Sequence, residues 1–178
     1  MKLVKESLLE EDKPDLKFYI AGNIKNEFLI SVTNHGKPIG GLYAGKPNSG
    51  EDLISVMKVA IVEEARKKGI GPRLYLVAMA LLGNKGLTPH RRKGNTTPAA
   101  ANIWKYFSSK DFIKKTPLEK IYDDKELSKF LDFKYTLDKS KRKEIIKSEI
   151  LINQKISDPF DKSSEPNKTT LEIIDKEM

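Results

Sequence analysis

The chain reads as an α/β protein, more narrowly α+β: a mixed, mostly antiparallel sheet flanked by helices, followed by a C-terminal extension. Three observations predict this. Two segments rich in aromatic and β-branched residues, Glu27–Thr33 and Pro38–Ala44, flank the turn sequence Asn34-His35-Gly36-Lys37, as a hairpin does. Leu53–Val62 is apolar almost throughout, so it is expected as a central strand with no wet face. Directly after it, three consecutive cations and two glycines lead into a helix expected to begin on Pro72.

The remaining elements follow from local chemistry. Residues 3–11 carry apolar positions at Leu3, Val4, Leu8 and Leu9 and predict a short helix that ends before Pro14. Leu16–Ile20 is strand-like, and Lys46-Pro47-Asn48-Ser49-Gly50 is a loop. In the helix from Pro72 to about Leu82, Leu74, Val77, Ala78 and Leu81 share a face, and Gly83 and Gly86 end it. Thr96 or Thr97 caps a second helix, with Pro98 in its first turn and Phe107 near its end. Leu118–Phe130 is helical in parts, Phe133–Leu137 alternates like a strand, and Lys139–Leu151 reads as a charged helix. From about Ser157 the composition predicts a flexible tail until Leu171. Residues 1–137 are thus expected as the domain, with its core at 53–107, and 138–178 as an appended charged segment.

The bulk properties narrow the chemistry. With 178 residues, 38% of them hydrophobic and 33% charged, the chain can bury a real core while part of it stays solvated. Without cysteine it has no disulfide framework and no thiolate chemistry, and two histidines make a Cys/His zinc site untenable. No apolar run approaches the roughly 20 residues that span a bilayer, and the charged first twelve residues do not read as a secretory signal. The expected setting is a cytoplasm, with no membrane partner. Lys and Arg outnumber Asp and Glu by 33 to 25, with the excess at Arg66–Lys68, Lys85–Lys93, Lys105–Lys120 and Lys139–Lys147. Such a basic surface suits nucleic acid or any other polyanion.

Two glycine-rich stretches invite a phosphate reading. Gly40-Gly41-Leu42-Tyr43-Ala44-Gly45-Lys46-Pro47 nearly spells a nucleotide P-loop, but Pro47 stands where a hydroxyl must hold magnesium, and no helix follows. The stretch Arg66-Lys67-Lys68-Gly69-Ile70-Gly71 is better placed. A strand delivers it, its glycines let the backbone approach an anion, and the following helix offers amides with partial positive charge.

Strand, Arg66-x-x-Gly69-x-Gly71 turn, helix, Gly86-Leu87 and a second alanine-rich helix with Trp104 together resemble the coenzyme A-binding core of the GNAT N-acyltransferase superfamily. The likeness is closest to GNAT-like proteins encoded by bacteriophages. It is carried by Gly71-Pro72-Arg73-Leu74-Tyr75, by Gly86-Leu87-Thr88-Pro89-His90-Arg91, by Thr97 with Ala100 and Trp104, and by Thr116-Pro117-Leu118; it covers roughly 53–137. The resemblance implies acetyl-CoA, or another acyl-CoA, as cofactor. It implies pantetheine beside the main chain of Ala60, Ile61 and Val62. It also implies pyrophosphate at the amides of Arg66, Lys67, Lys68, Gly69, Ile70 and Gly71, and direct acyl transfer to an amine-bearing substrate.

The chain departs from the family at informative points. Trp104 stands where many members carry a tyrosine that protonates the leaving thiolate, and Tyr106 lies two residues on, about 200° around the helix. Pro72 removes one amide, and His90 stands where the phage group shows an aspartate. His90 and Tyr106 are the catalytic candidates, with Glu63 and Glu64 as further bases near the inferred cleft. Arg91-Arg92-Lys93-Gly94-Asn95 is a basic loop that suits a 3′-phosphate, a nucleic-acid backbone or an acidic protein. The alternative to acyl transfer is a non-catalytic phage protein of this fold, structural in the virion or bound to nucleic acid.

Overall fold

The computed structural model describes residues 14–47, 50–92, 94, 96–149, 152–153 and 158–176. The expected helix at residues 3–11 lies outside them. The chain opens with three antiparallel strands, β1 (Leu16–Asn23), β2 (Glu27–Asn34) and β3 (Lys37–Gly45), and continues into β4 (Ser55–Ile61). β2 and β3 are joined at His35 and Gly36, whose φ angles of 48° and 79° are both positive, the turn geometry that follows strand twist. Then come helix α1 (Ile70–Leu82), helix α2 (Pro98–Ser108), strand β5 (Ile113–Pro117), helix α3 (Lys125–Leu131) and strand β6 (Phe133–Leu137). Helix α4 (Lys139–Ser148), the two-residue strand β7 (Ile152–Asn153) and helix α5 (Asn167–Lys176) complete the chain. The mixed α+β class and the mostly antiparallel sheet are as the sequence predicts.

The main sheet runs β4-β3-β2-β1-β7, with only β7 parallel to its neighbour, and β5 and β6 form a separate antiparallel pair. Leu87 and Thr88 connect the two. Thr88 donates to the Ile54 carbonyl at 3.0 Å and accepts from Val56 N at 3.0 Å, while Leu87 exchanges two 2.9 Å bonds with Tyr135. The Thr88 contact is parallel and the Leu87 contact antiparallel, so one dipeptide links two sheets of different sense. The Oγ atoms of Ser55 and Thr88 lie 2.7 Å apart in full burial, which satisfies both hydroxyls.

Alternation along β2 sorts the core. Phe28, Ile30 and Val32 point to the face covered by Leu74, Val77 and Ala78 of α1 and by Trp104 and Phe107 of α2. Leu29 points the other way, into a smaller cluster with Ala21, Ala60, Leu171 and Ile174. All six interior residues of β2 are buried, so β2 is the strand covered on both faces. The expectation that Leu53–Val62 is the central strand is therefore corrected. β4 is apolar because helices lie on both of its faces, yet beyond Ser55 its outer edge carries no neighbouring strand among the described residues.

The C-terminal segment also departs from expectation. The tail is not flexible up to Leu171: Asn167, Thr170, Leu171 and Ile174 are buried as α5 crosses the sheet. Its approach depends on Gly41, where an added Cβ would collide with the Ile30 carbonyl oxygen and Thr170 Cγ2. The glycines that imitate a P-loop thus sit in β3, where small size lets a helix lie on the sheet. α4 is tied down as well. Arg142 Nε donates to the Ala80 carbonyl at 2.8 Å, a cation at the negative end of α1, and Arg73 Nη2 donates to Glu149 Oε2 at 2.6 Å. Among the described residues no helix is long and apolar enough to cross a membrane.

Gly41→Ala is expected to lower stability by about 1–3 kcal/mol, the usual cost of overpacking a closed interface, as read from urea unfolding. A midpoint equal to wild type would mean that α5 does not rest on β3.

Candidate functional site

The cleft originates in strand geometry. β3 pairs Tyr43 with Lys58 and Ala44 with Val56, so the register skips Met57. An extra residue of this kind bends its strand and increases the local twist. β4 is bonded to Thr88 just before the bulge and leaves it just after. Pro89 and His90 carry the other strand away, and the two edges diverge around a cleft of about 390 Å³, within the range of small-molecule sites.

One wall is the open edge of β4. Ala60 faces β3 and Ile61 has its carbonyl on the cleft side, where Arg66 Nε donates to it at 2.9 Å. Strand alternation then puts the N–H and C=O of Val59 and the N–H of Ile61 on the same open side. The far end of the cleft is the turn into α1. Lys67 and Gly69 both adopt left-handed backbone, with φ of 61° and 76°, which reverses the chain so that Ile70 starts the helix. Gly69 is the N-cap and supplies no side-chain cap, so the amides of Ile70 and Gly71 have no intrahelical partner. Helix α1 begins two residues before the expected start, with Pro72 third rather than first. Proline fits there for the same reason: its missing N–H lies within the turn whose amides are unpaired anyway.

The sequence-derived residues divide by position. Ile61, Arg66, Gly71, His90 and Trp104 line the cleft. A Cβ on Gly71 would lie in ordinary contact with Ile61 Cδ1 and Ile103 Cδ1, at 3.7 and 3.8 Å, so this position borders the cleft without closing it. Lys67, Lys68 and Gly69 form its exposed rim. The Ile70 side chain enters the core and Val62 packs against it, leaving only main chain to face a ligand. Glu63 and Glu64 are exposed in a single 3₁₀ turn and do not line the cleft. Tyr106 is corrected as a catalytic candidate: it is 46% exposed on the outer face of α2, with Lys110 Nζ 4.3 Å above its ring. Trp104 is 1% exposed, edge-on to Tyr75 at 5.1 Å and 4.8 Å from Tyr135, so it forms both the cleft floor and the core.

His90 is held rather than free. Its Nδ1 accepts the Arg92 N–H at 3.1 Å, while its carbonyl accepts from Tyr122 Oη at 3.0 Å; Tyr122 in turn accepts from Thr96 Oγ1 at 3.1 Å. With Nδ1 occupied, the neutral ring carries its proton on Nε2. Partial burial, and then the Arg92 charge, hold its pKa below the ordinary histidine value. The ring is thus a neutral hydrogen-bond donor near neutral pH, and its lone pair serves the loop.

The basic loop after His90 is also reassigned. Arg91 is buried: it meets Asp132 Oδ1 at 3.2 Å and the Glu119 carbonyl at 2.6 Å, with Glu51 Oε2 3.7 Å from Nε. Asp132 further accepts from Ile121 N at 3.1 Å and Ser128 Oγ at 2.7 Å. Arg91 therefore fastens the cleft loop to the segment before α3, and the ligand-facing cation of this loop is the exposed Arg92. Lys93 and Asn95 lie outside the described residues.

Sequence reasoning missed Lys58, Tyr75 and Ile174, all at the cleft. Tyr75 had a signal, since it stands one turn after Gly71 on the same helix face. Ile174 had none, because a tail helix reaching back to β4 is a long-range event. The chain matches no family model, no curated protein and no solved structure.

Asp132→Ala is expected to cost about 3–5 kcal/mol, because it strands a buried guanidinium; urea unfolding measures it, and a loss below 1 kcal/mol would mean the pair is hydrated. For His90, the depressed pKa makes the folded state resist protonation. Stability is complete above the ordinary histidine pKa of about 6.5 and falls as pH drops from there through the folded value. Between pH 7.5 and 5.5 the wild type should lose more of its urea midpoint than His90→Gln, and equal losses would remove His90 from the acid response.

Proposed function

We propose that the cleft binds an acyl-coenzyme A and that the protein transfers the acyl group, most simply acetyl, to an amine by direct attack. One observation carries this reading: the open edge of β4 leads straight to the unpaired amides at the start of α1. An extended amide-containing arm pairs with a strand edge by main-chain hydrogen bonds, and a diphosphate suits a helix N-terminus rimmed by Arg66, Lys67 and Lys68. The missing Cβ of Gly71 leaves the backbone approachable there. On this reading Val59 and Ile61 hold the arm. The Val59 N–H is the donor available to the acyl carbonyl oxygen, which becomes more negative during attack.

The resemblance to GNAT acyltransferases, and to their phage-encoded relatives, supports the same assignment. A second reading is favoured by Trp104, whose indole offers no useful acid, and by the engaged lone pair of His90. In it the fold is kept for a structural role in a virion or for binding nucleic acid, and the cleft does no chemistry.

Calorimetry with acetyl-CoA separates the two. Acyl transfer predicts micromolar binding that Gly71→Glu weakens at least about 100-fold, since the carboxylate would enter the cleft and repel a diphosphate, at about 1.4 kcal/mol per tenfold. Absence of binding, together with salt-sensitive retention on DNA, would replace it by the second reading.

A further inference from the structure

Breaking a thioester leaves its electron pair on sulfur, and a thiolate in a cleft floored by Trp104 and walled by Ile61 and Ile103 is poorly solvated. Something must donate to it. Thr96 and Thr97 border the cleft, but Thr96 donates to Tyr122, and Thr97 caps α2 by accepting from Ala100 N at 3.2 Å. Tyr106 faces outward. Tyr75 remains.

Its setting is that of an aimed group. Tyr75 lines the cleft yet is only 1% exposed. The ring is fixed on two sides, edge-on to Trp104 at 5.1 Å and tilted against Phe107 at 6.1 Å. Its hydroxyl has no hydrogen-bond partner among the described residues, and it is not among the buried polar atoms sealed from solvent. A rigid ring with an unpartnered hydroxyl at a cleft wall is a donor waiting for an acceptor, since buried hydroxyls are otherwise bonded.

We propose that the Tyr75 hydroxyl donates a hydrogen bond to the departing sulfur of the acyl donor and stabilises the thiolate as it forms. The inference rests on the acyltransferase reading above. In the step, the amine nitrogen forms a bond to the acyl carbon, the carbon–sulfur bond breaks with its pair going to sulfur, and the amine proton passes to water. Tyr75 keeps its own proton throughout. Burial raises the phenol far above the ordinary tyrosine range, so it stays a donor across neutral pH. Lys58, Arg66 and His90 also face the cleft, and no Asp or Glu does among the described lining residues.

The test uses the full chain and coenzyme A itself, whose thiolate absorbs in the ultraviolet. The thiol of bound coenzyme A should titrate about one unit lower in wild type than in Tyr75→Phe, a tenfold preference, while acetyl-CoA affinity changes less than about twofold. The cations of the cleft are common to both proteins and cancel in the comparison. Loss of an unpartnered hydroxyl should leave the melting temperature nearly unchanged, which keeps the variant folded. Identical titrations would overturn the role of Tyr75 while leaving the cofactor assignment standing, as would a variant that loses acetyl-CoA binding, which makes Tyr75 a packing residue. Failure of wild type to bind coenzyme A removes both.

Discussion

Leu87 and Thr88 are the residues on which the architecture turns. Four main-chain hydrogen bonds join a three-sided antiparallel meander to a second, short sheet. Because Thr88 meets β4 only at its beginning, the strands are held together at one end and released at the other. The skipped residue, Met57, then sets the direction of the separation. A sheet with complete pairing would have no such opening, and a sheet with no pairing would leave unsatisfied buried amides. The cleft is the compromise between these two conditions.

Helix α1 is fixed by what happens at its two ends. Its C-terminal carbonyls meet Arg142 from α4, and Arg73 in its first turns is bonded to Glu149 just beyond α4. The N-terminus is left bare at the cleft, with a glycine cap and three cations near it. Compensation at one end and exposure at the other keep the positive pole of the dipole available to a ligand. The charged C-terminal extension is therefore part of the cleft's support, and α5 adds Ile174 to the cleft wall itself.

The chemistry available in the cleft is that of donors. Lys58, Arg66, the Nε2–H of His90, the Tyr75 hydroxyl and the strand-edge amides all offer hydrogens. Such a lining complements an anion, a carbonyl and a thiolate better than it complements an ammonium group. His90 illustrates how context changes a residue's use: by accepting the Arg92 amide it becomes a structural clasp for the loop that Arg91 and Asp132 anchor underneath.

Much of the fold was legible in the chain because it is local. Period-two alternation, the His35-Gly36 turn, the Thr97 cap and the order of strand, glycine turn and helix depend on neighbours within a few residues, where propensity and capping act directly. The same locality made Ile61, Arg66 and Gly71 recognisable as cleft residues. Other features escaped because they are decided by distant partners. Leu53–Val62 is apolar whether it is central or at an edge, since apolarity reports the covering of faces and not the pairing of edges. Arg91 looks like Arg92 in sequence, yet only Arg91 finds Asp132 across 41 positions. Gly41 imitates a phosphate loop until α5 arrives on top of it. By itself, then, the sequence determined the elements, their order and the anion-seeking turn, all products of short-range sterics and hydrogen bonding. Tertiary structure alone decided where the sheet parts, which tyrosine reaches the gap and which cations stay outside, because those depend on packing between segments far apart in the chain.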